Sequence, residues 1–182
     1  MTPSLLFHLF AMTTTASIDD GTCSSKPYRA GVVALFRRSE STANFDADEI
    51  LLCKRKGSGE WQIPQGGSEG DETTEETLMR EMMEELGTTS FRIVKKAQKS
   101  VSYDFPAGMK GKYTSTHRGQ QHTWFLLEFD DGYGPNLDLA ADKEFDECRW
   151  VVPSRQYILD KIISWKQNAY IEGFSQLGYS LH

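Results

Sequence analysis

Between Gly66 and Thr88 the chain reads GGSEGDETTEETLMREMMEELGT. No other stretch leaves the fold so few choices. Thr73 followed by Glu76 is a capping box, in which hydroxyl and carboxylate satisfy N–H groups orphaned at a helix start. Gly87 stands where a left-handed residue would stop that helix. The spacing predicts a helix over Thr74–Leu86. Leu78, Met82 and Leu86 recur every fourth residue and face a core. Glu81, Glu84 and Glu85 stand at i, i+3 and i+4, so they project from one face.

That face works against the helix that carries it. Like charges at those spacings cost roughly 0.2–0.5 kcal/mol per pair, and only Arg80 offers a local counter-charge. From Glu69 to Glu85 there are eight acids and one base, a net of −7 in a chain whose total is −6. The acidity is therefore local, and the remainder is close to neutral. Most acidic runs are solvated helix faces. A cluster of carboxylates also suits a hard divalent cation such as Mg²⁺, which takes a few carboxylates plus substrate phosphates.

The 182 residues suffice for one domain with a proper core. Cys23, Cys53 and Cys148 are odd in number and show no C-x-x-C spacing, so neither a disulfide framework nor a zinc site is expected. Thiols in a reducing, cytoplasmic setting are the expectation. No run of 18 apolar residues is present to span a membrane. Residues 1–25 lack the basic n-region of a secretory signal and the arginines of a transit peptide. They are expected to be a disordered extension, with Met12 as an alternative start and organelle import left open. A single domain is expected over 26–178.

Tyr28–Arg37 and Glu49–Arg55 are strand candidates joined by a polar loop, forming a hairpin. Gly57-Ser58-Gly59 is a turn. Phe91–Asp104, Gln120–Phe129 and Glu147–Val152 supply further strands, and Pro106–Gly119 is a basic loop. Ser154 is a helix N-cap, followed by a buried stripe of Ile158, Ile162, Trp165 and Ala169. Strands and helices mixed in this order point to an α/β/α arrangement around a mixed sheet.

Gly66, Glu72 and then Arg80-Glu81-Met82-x-Glu84-Glu85-x-Gly87 follow the Nudix box pattern, with Thr88 in its last apolar slot. The chain thus resembles the Nudix hydrolases. The resemblance implies a Nudix-type α/β/α sandwich with a mixed β-sheet and a loop–helix–loop catalytic box. It also implies cleavage of a nucleoside diphosphate linked to another group, with Mg²⁺ or Mn²⁺ as cofactor. It assigns metal binding to Glu81, Glu84, Glu85 and the Gly66 carbonyl, with Glu144 as a further acid. Glu81 is a candidate base, and Arg80 with Glu72 an ion pair that orients the helix.

Trp61-Gln-x-Pro-Gln-Gly-Gly67, Tyr103-Asp104-Phe105-Pro106 and Gly119-Gln120-x-x-x-Trp124-Phe125 resemble one subgroup. Its members hydrolyse dinucleoside polyphosphates or remove pyrophosphate from triphosphorylated RNA 5′ ends. The resemblance implies cations around the phosphates and aromatic surfaces for a base. Arg29, Lys54, Lys56, Lys112, Arg118 and Lys166 are the cation candidates. Tyr103 and Trp165 are the aromatic ones, and Gln120 joins them by its motif. Two positions depart from the subgroup: Ala30-Gly31 after Tyr28-Arg29, and Thr123 before Trp124. Backbone charge dominates RNA affinity, and the near-neutral remainder of the chain favours diadenosine tetraphosphate, split to ATP and AMP. RNA ends are the alternative, and other nucleotide cleaning or nucleotide sensing stands further off. The expected partner is a nucleotide or an RNA 5′ end, with no DNA and no membrane, in a monomer or homodimer.

Overall fold

Alternation along the strands sorts the core into two halves. In β1 (Tyr28–Arg38), Val32, Ala34 and Phe36 face one side of the sheet while Val33 and Leu35 face the other. The same split recurs in β2 (Glu49–Arg55), with Leu51 and Cys53 against Ile50 and Leu52. A strand buried on both faces must be apolar at nearly every position, as both strands are over their buried middles, residues 31–36 and 50–53. The computed structural model describes residues 26–38 and 48–181. The expected extension over 1–25 and nearly all of the expected polar loop after β1 lie outside them.

Two short strands follow, β3 (Trp61–Gln62) and β4 (Gln65–Gly67), then helix α1 (Thr74–Leu86). Next come β5 (Phe91–Lys96), β6 (Val101–Asp104), β7 (Gly119–Phe129) and β8 (Phe145–Val151). Helices α2 (Arg155–Lys161) and α3 (Gln167–Leu177) close the fold. The central order is β3-β2-β1-β7-β5, with β4 on β1, β6 on β7 and β8 on β2. β1 and β7 run parallel from Tyr28↔Gly119 to Phe36↔Leu127, while the other pairings are antiparallel. The sheet is therefore mixed. Helix α1 covers one face through Leu78, Met82 and Leu86; α2 and α3 cover the other through Ile158, Ala169, Tyr170, Phe174 and Leu177.

Helix α1 matches its expected bounds and caps. Thr73 accepts from the Glu76 N–H, Glu76 reaches back to the Thr73 N–H, and Gly87 sits at φ 68°. Ser154 caps α2 by accepting from the Tyr157 N–H. Three expectations change. The segment Phe91–Asp104 is two strands that both run antiparallel along β7, because the chain bends out of the ladder over residues 98–100 and rejoins it at Val101↔His122. The C-terminal helical region breaks at Ile162, which is extended (φ −89°, ψ 135°), before a single turn of 3-10 helix over Ser164–Lys166. Two of the three cysteines are not idle thiols: Cys53 and Cys148 are cross-strand partners on β2 and β8 and form a disulfide, while Cys23 lies outside the described residues. They are 95 residues apart in sequence, and the β2–β8 register alone brings them opposite each other.

Candidate active site

The cleft lies where the N-terminal ends of β1 and β7 meet the box helix. Parallel register sets Arg29 beside Gln120, and antiparallel register sets Gln120 beside Tyr103. The chain leaves β1's neighbour β4 at Gly66-Gly67 and enters α1, whose acidic face turns toward the sheet. The resulting cleft, of about 530 Å³, is lined by Arg29, Arg55, Glu81, Glu84, Glu85, Glu144, Gln120, Lys112, Tyr113, Trp165 and Lys166 among others.

Close backbone approach shapes its floor. A Cβ at Gly66 would stand 1.7 Å from the Glu81 Cδ. Only glycine lets that carboxylate rest on the backbone. Gly31, one of the two departures from the subgroup pattern, has its own reason. A Cβ there would stand 2.3 Å from the Gly66 carbonyl oxygen, so the side-chain-free position lets β4 press onto β1. Thr88, the departure within the box, is buried, and its Oγ1 accepts from the Ser90 N–H at 3.1 Å.

Arg80 organises the acids. Its guanidinium grips Glu72 in a two-pronged fork, Nε to Oε1 at 2.7 Å and Nη2 to Oε2 at 2.9 Å, the strongest geometry an Arg–carboxylate pair adopts. That contact, with the Glu69 N–H and Thr77 hydroxyl, holds Glu72 down to a pKa of about 2. Arg80 Nη1 donates to Glu81 Oε1 and Glu84 Oε2, each at 2.9 Å. Nη2 also donates to the Gly67 carbonyl at 2.9 Å.

The expected metal cage is not drawn together as such. Among the described residues no three carboxylate, histidine or cysteine groups converge on one point. A positive nitrogen of Arg80 sits between Glu81 and Glu84 instead, because three carboxylates on one helix face repel and Arg80 is the local cation. The donor set nevertheless fits a hard divalent ion. Glu85 is fully buried and takes the Gln65 N–H at 3.0 Å. Burial, then the Glu144 and Glu81 charges, push its carboxyl well above the usual range. Burial also raises Glu81. Carboxylates buried side by side need compensating positive charge, and all the donors are oxygens, as Mg²⁺ requires. Glu144 is set among them by Gln62 Nε2 at 3.3 Å and by Arg55 Nη1 at 3.2 Å.

The expected substrate contacts divide. Arg29, Gln120, Trp165, Lys112 and Lys166 line the cleft. Lys166 is buried, and desolvation followed by the nearby Arg55 charge lowers its pKa to about 8. Tyr103 does not line it: the ring is buried, its hydroxyl donates to Gln120, and it packs edge-on to Trp165 at 5.2 Å. It supports the cleft from beneath because odd positions of β6 face the core. Arg118 lies outside, paired with Asp104 at 2.9 Å. Lys54 and Lys56 also stay out, while Arg55 enters. Alternation puts Arg55 on the side of Leu51 and Cys53, the face of the sheet that α1 covers, and Lys54 on the other. Strand alternation was the signal that could have found Arg55. Tyr113 and Glu60 also line the cleft, and nothing local in the sequence singles them out.

The NUDIX domain family model matches residues 27–170. A protein named RNA pyrophosphohydrolase from Acidiphilium cryptum (strain JF-5) is 41% identical over 133 residues, 68% of this chain and 75% of its own. Another of that name, from Rickettsia prowazekii (strain Madrid E), is 33% identical over 150 residues, 79% of this chain and 86% of its own. Among solved structures, a C. elegans Ap4A hydrolase in a binary complex superposes with a TM-score of 0.55 at 14% identity, covering 82% of this chain and 96% of that one. A MutT protein from Methanosarcina mazei Go1 gives 0.52 at 22% identity, covering 85% and 99%. At such identities these two structures share the fold alone.

Proposed function

The chain belongs to the NUDIX family, and from that premise we propose that this pyrophosphohydrolase removes pyrophosphate from triphosphorylated RNA 5′ ends. The observation that carries the chemistry is a single cleft in which Glu81, Glu84, Glu85 and Glu144 face Arg29, Arg55, Lys112 and Lys166. Acids alone would repel a polyphosphate and cations alone would only bind it; both together suit phosphoryl transfer, where positioning and electrostatics dominate.

Nudix family enzymes generally use a divalent metal such as Mg²⁺. Here Glu81, Glu84, Glu85, Glu144 and the Gly66 carbonyl would hold Mg²⁺ or Mn²⁺, which polarises phosphoryl oxygens and acidifies a bound water. Arg29 and Lys166 draw the phosphates into the cleft and neutralise charge on the leaving group. Glu81, set against the Gly66 backbone at the floor of the cleft, is the candidate to take a proton from the attacking water. Arg80, locked to Glu72, keeps α1 in register with the Gly66-Gly67 backbone. The half-buried Trp165 offers a face to a nucleobase.

What supports the RNA end is likeness: the relatives at 33–41% identity described above carry the name RNA pyrophosphohydrolase. This reverses the order favoured by charge alone. A second reading, asymmetric hydrolysis of diadenosine tetraphosphate, keeps one supporting observation, the near-neutral charge outside the box. Such a chain offers little electrostatic track for a long RNA.

The test is a substrate panel with Mg²⁺, comprising triphosphorylated RNA, diadenosine tetraphosphate, ADP-ribose and 8-oxo-dGTP, with products resolved by chromatography. Pyrophosphate released from RNA at the highest kcat/KM supports the proposal. ATP and AMP formed preferentially from the dinucleotide moves the assignment to the second reading. In either case Glu84→Gln should lower kcat by about 100-fold or more, as loss of a charged ligand at a phosphoryl-transfer site does. Normal turnover in that variant removes Glu84 from the site.

A further inference from the structure

We propose that Tyr113 is a positioning residue for phosphate binding: its ring seats the Arg29 guanidinium against the Gly67 backbone and thereby sets affinity for polyphosphate. The inference rests on the phosphate-binding role given above to the cleft.

Arg29 is clamped from two sides. Its Cζ lies 3.9 Å from the centroid of the Tyr113 ring. On the other side a Cβ at Gly67 would stand 1.8 Å from Nη1 and 1.9 Å from Cζ, so the guanidinium rests on bare backbone. Among the described residues no ion pair involves Arg29. Arg37, Arg55, Arg80 and Arg118 each hold a carboxylate. A guanidinium fixed by a π face keeps its charge uncancelled for an incoming anion, where one fixed by a carboxylate does not. Lys112 Nζ lies 5.0 Å from the same ring and adds a second cation at the cleft mouth.

Tyr113 is itself held. Its carbonyl accepts from the N–H groups of Thr116 at 3.2 Å and His117 at 2.9 Å. Lys26 Nζ donates to the next carbonyl, Thr114, at 3.0 Å, and Arg118 N–H bonds Pro27 C=O at 3.0 Å. The loop between β6 and β7 is thus tied to the start of β1, the strand that carries Arg29. Ring and guanidinium are positioned by one hydrogen-bonded unit.

The experiment compares wild type, Tyr113→Leu, Tyr113→Phe, Arg29→Gln and the Tyr113→Leu/Arg29→Gln double variant. Calorimetry gives Kd for inorganic tripolyphosphate at fixed excess Mg²⁺, and turnover of triphosphorylated RNA gives KM and kcat. Tyr113→Leu is expected to raise Kd and KM about fivefold, in line with a partly exposed cation–π contact. It should leave kcat and the melting temperature unchanged. Tyr113→Phe should behave as wild type, because the ring face rather than the hydroxyl does the holding. On the Arg29→Gln background the leucine change should add nothing. An unchanged Kd in Tyr113→Leu overturns the proposal, as does an equal loss on the Arg29→Gln background, or a phenylalanine variant as weak as the leucine one. Absence of tripolyphosphate binding by wild type overturns it too. If the Kd pattern holds but no RNA is cleaved, the functional reading falls and the role of Tyr113 stands.

Discussion

His122 lies on β7, buried, and its Nε2 has no hydrogen-bond partner among the described residues. Its ring meets Tyr103 edge-on at 5.6 Å, and Lys166 and Arg29 are the charges it senses. Burial first, and then those two cations, push its pKa down to about 3 from 6.5. The unfolded chain therefore binds the proton that the folded one refuses. Stability is retained in full above pH 6.5 and falls as pH drops toward 3, by up to about 1.4 kcal/mol per pH unit from this group. Chemical denaturation of His122→Leu between pH 7 and pH 4 should give a shallower acid decline than wild type. Parallel declines would mean that the imidazole is not buried as described. The sequence alone could place His122 on a strand but not give its ring a neighbour. Lys54 and Arg55 make the same point in the other direction. Adjacent basic residues look equivalent along the sequence, and strand alternation sends only Arg55 into the cleft.

Helix α3 owes its position to a glycine that helix propensity would discard. Gly173 lies mid-helix, where alanine is favoured by about 1 kcal/mol. A Cβ there would stand 2.2 Å from the Trp124 Cε2. Trp124 is buried and also packs edge-on to Tyr170 at 5.3 Å, so its indole has little room to yield. Overpacking of this kind costs about 1–3 kcal/mol. Gly173→Ala should therefore lower the melting temperature by several degrees although it improves the helix itself, and thermal denaturation followed by circular dichroism reads the sign. A higher melting temperature would mean that Trp124 moves freely. Local signals served well where an element is self-contained: α1 could be delimited from its caps and its periodicity. They served less well for α2 and α3. There the stripe of Ile158, Ile162 and Ala169 is buried as expected, yet the helix breaks, because the chain turns at Ile162–Ser164 to bring Trp165 and Lys166 to the cleft.

Across the whole molecule, the Cys53–Cys148 disulfide ties β2 to β8, the strands that carry Arg55 and lead out of Glu144. Closing a loop between residues 95 apart stabilises typically by about 2–4 kcal/mol, through the unfolded chain. Reductant should lower the melting temperature of wild type, while Cys148→Ser should start lower and not respond; a reductant-insensitive wild type would mean that the pair is not bonded. Counting cysteines could not reveal this, since pairing depends on which strands lie side by side. The box helix and its row of glutamates were determined by the sequence itself, because capping, periodicity and like-charge spacing act within a few residues of one another. Only the tertiary structure decided what those glutamates confront. Arg29 comes from β1, Arg55 from β2, Glu144 from the entry to β8 and Lys166 from the turn before α3. They meet because strand register is settled by packing both faces of the sheet at once, and no segment read by itself contains that condition.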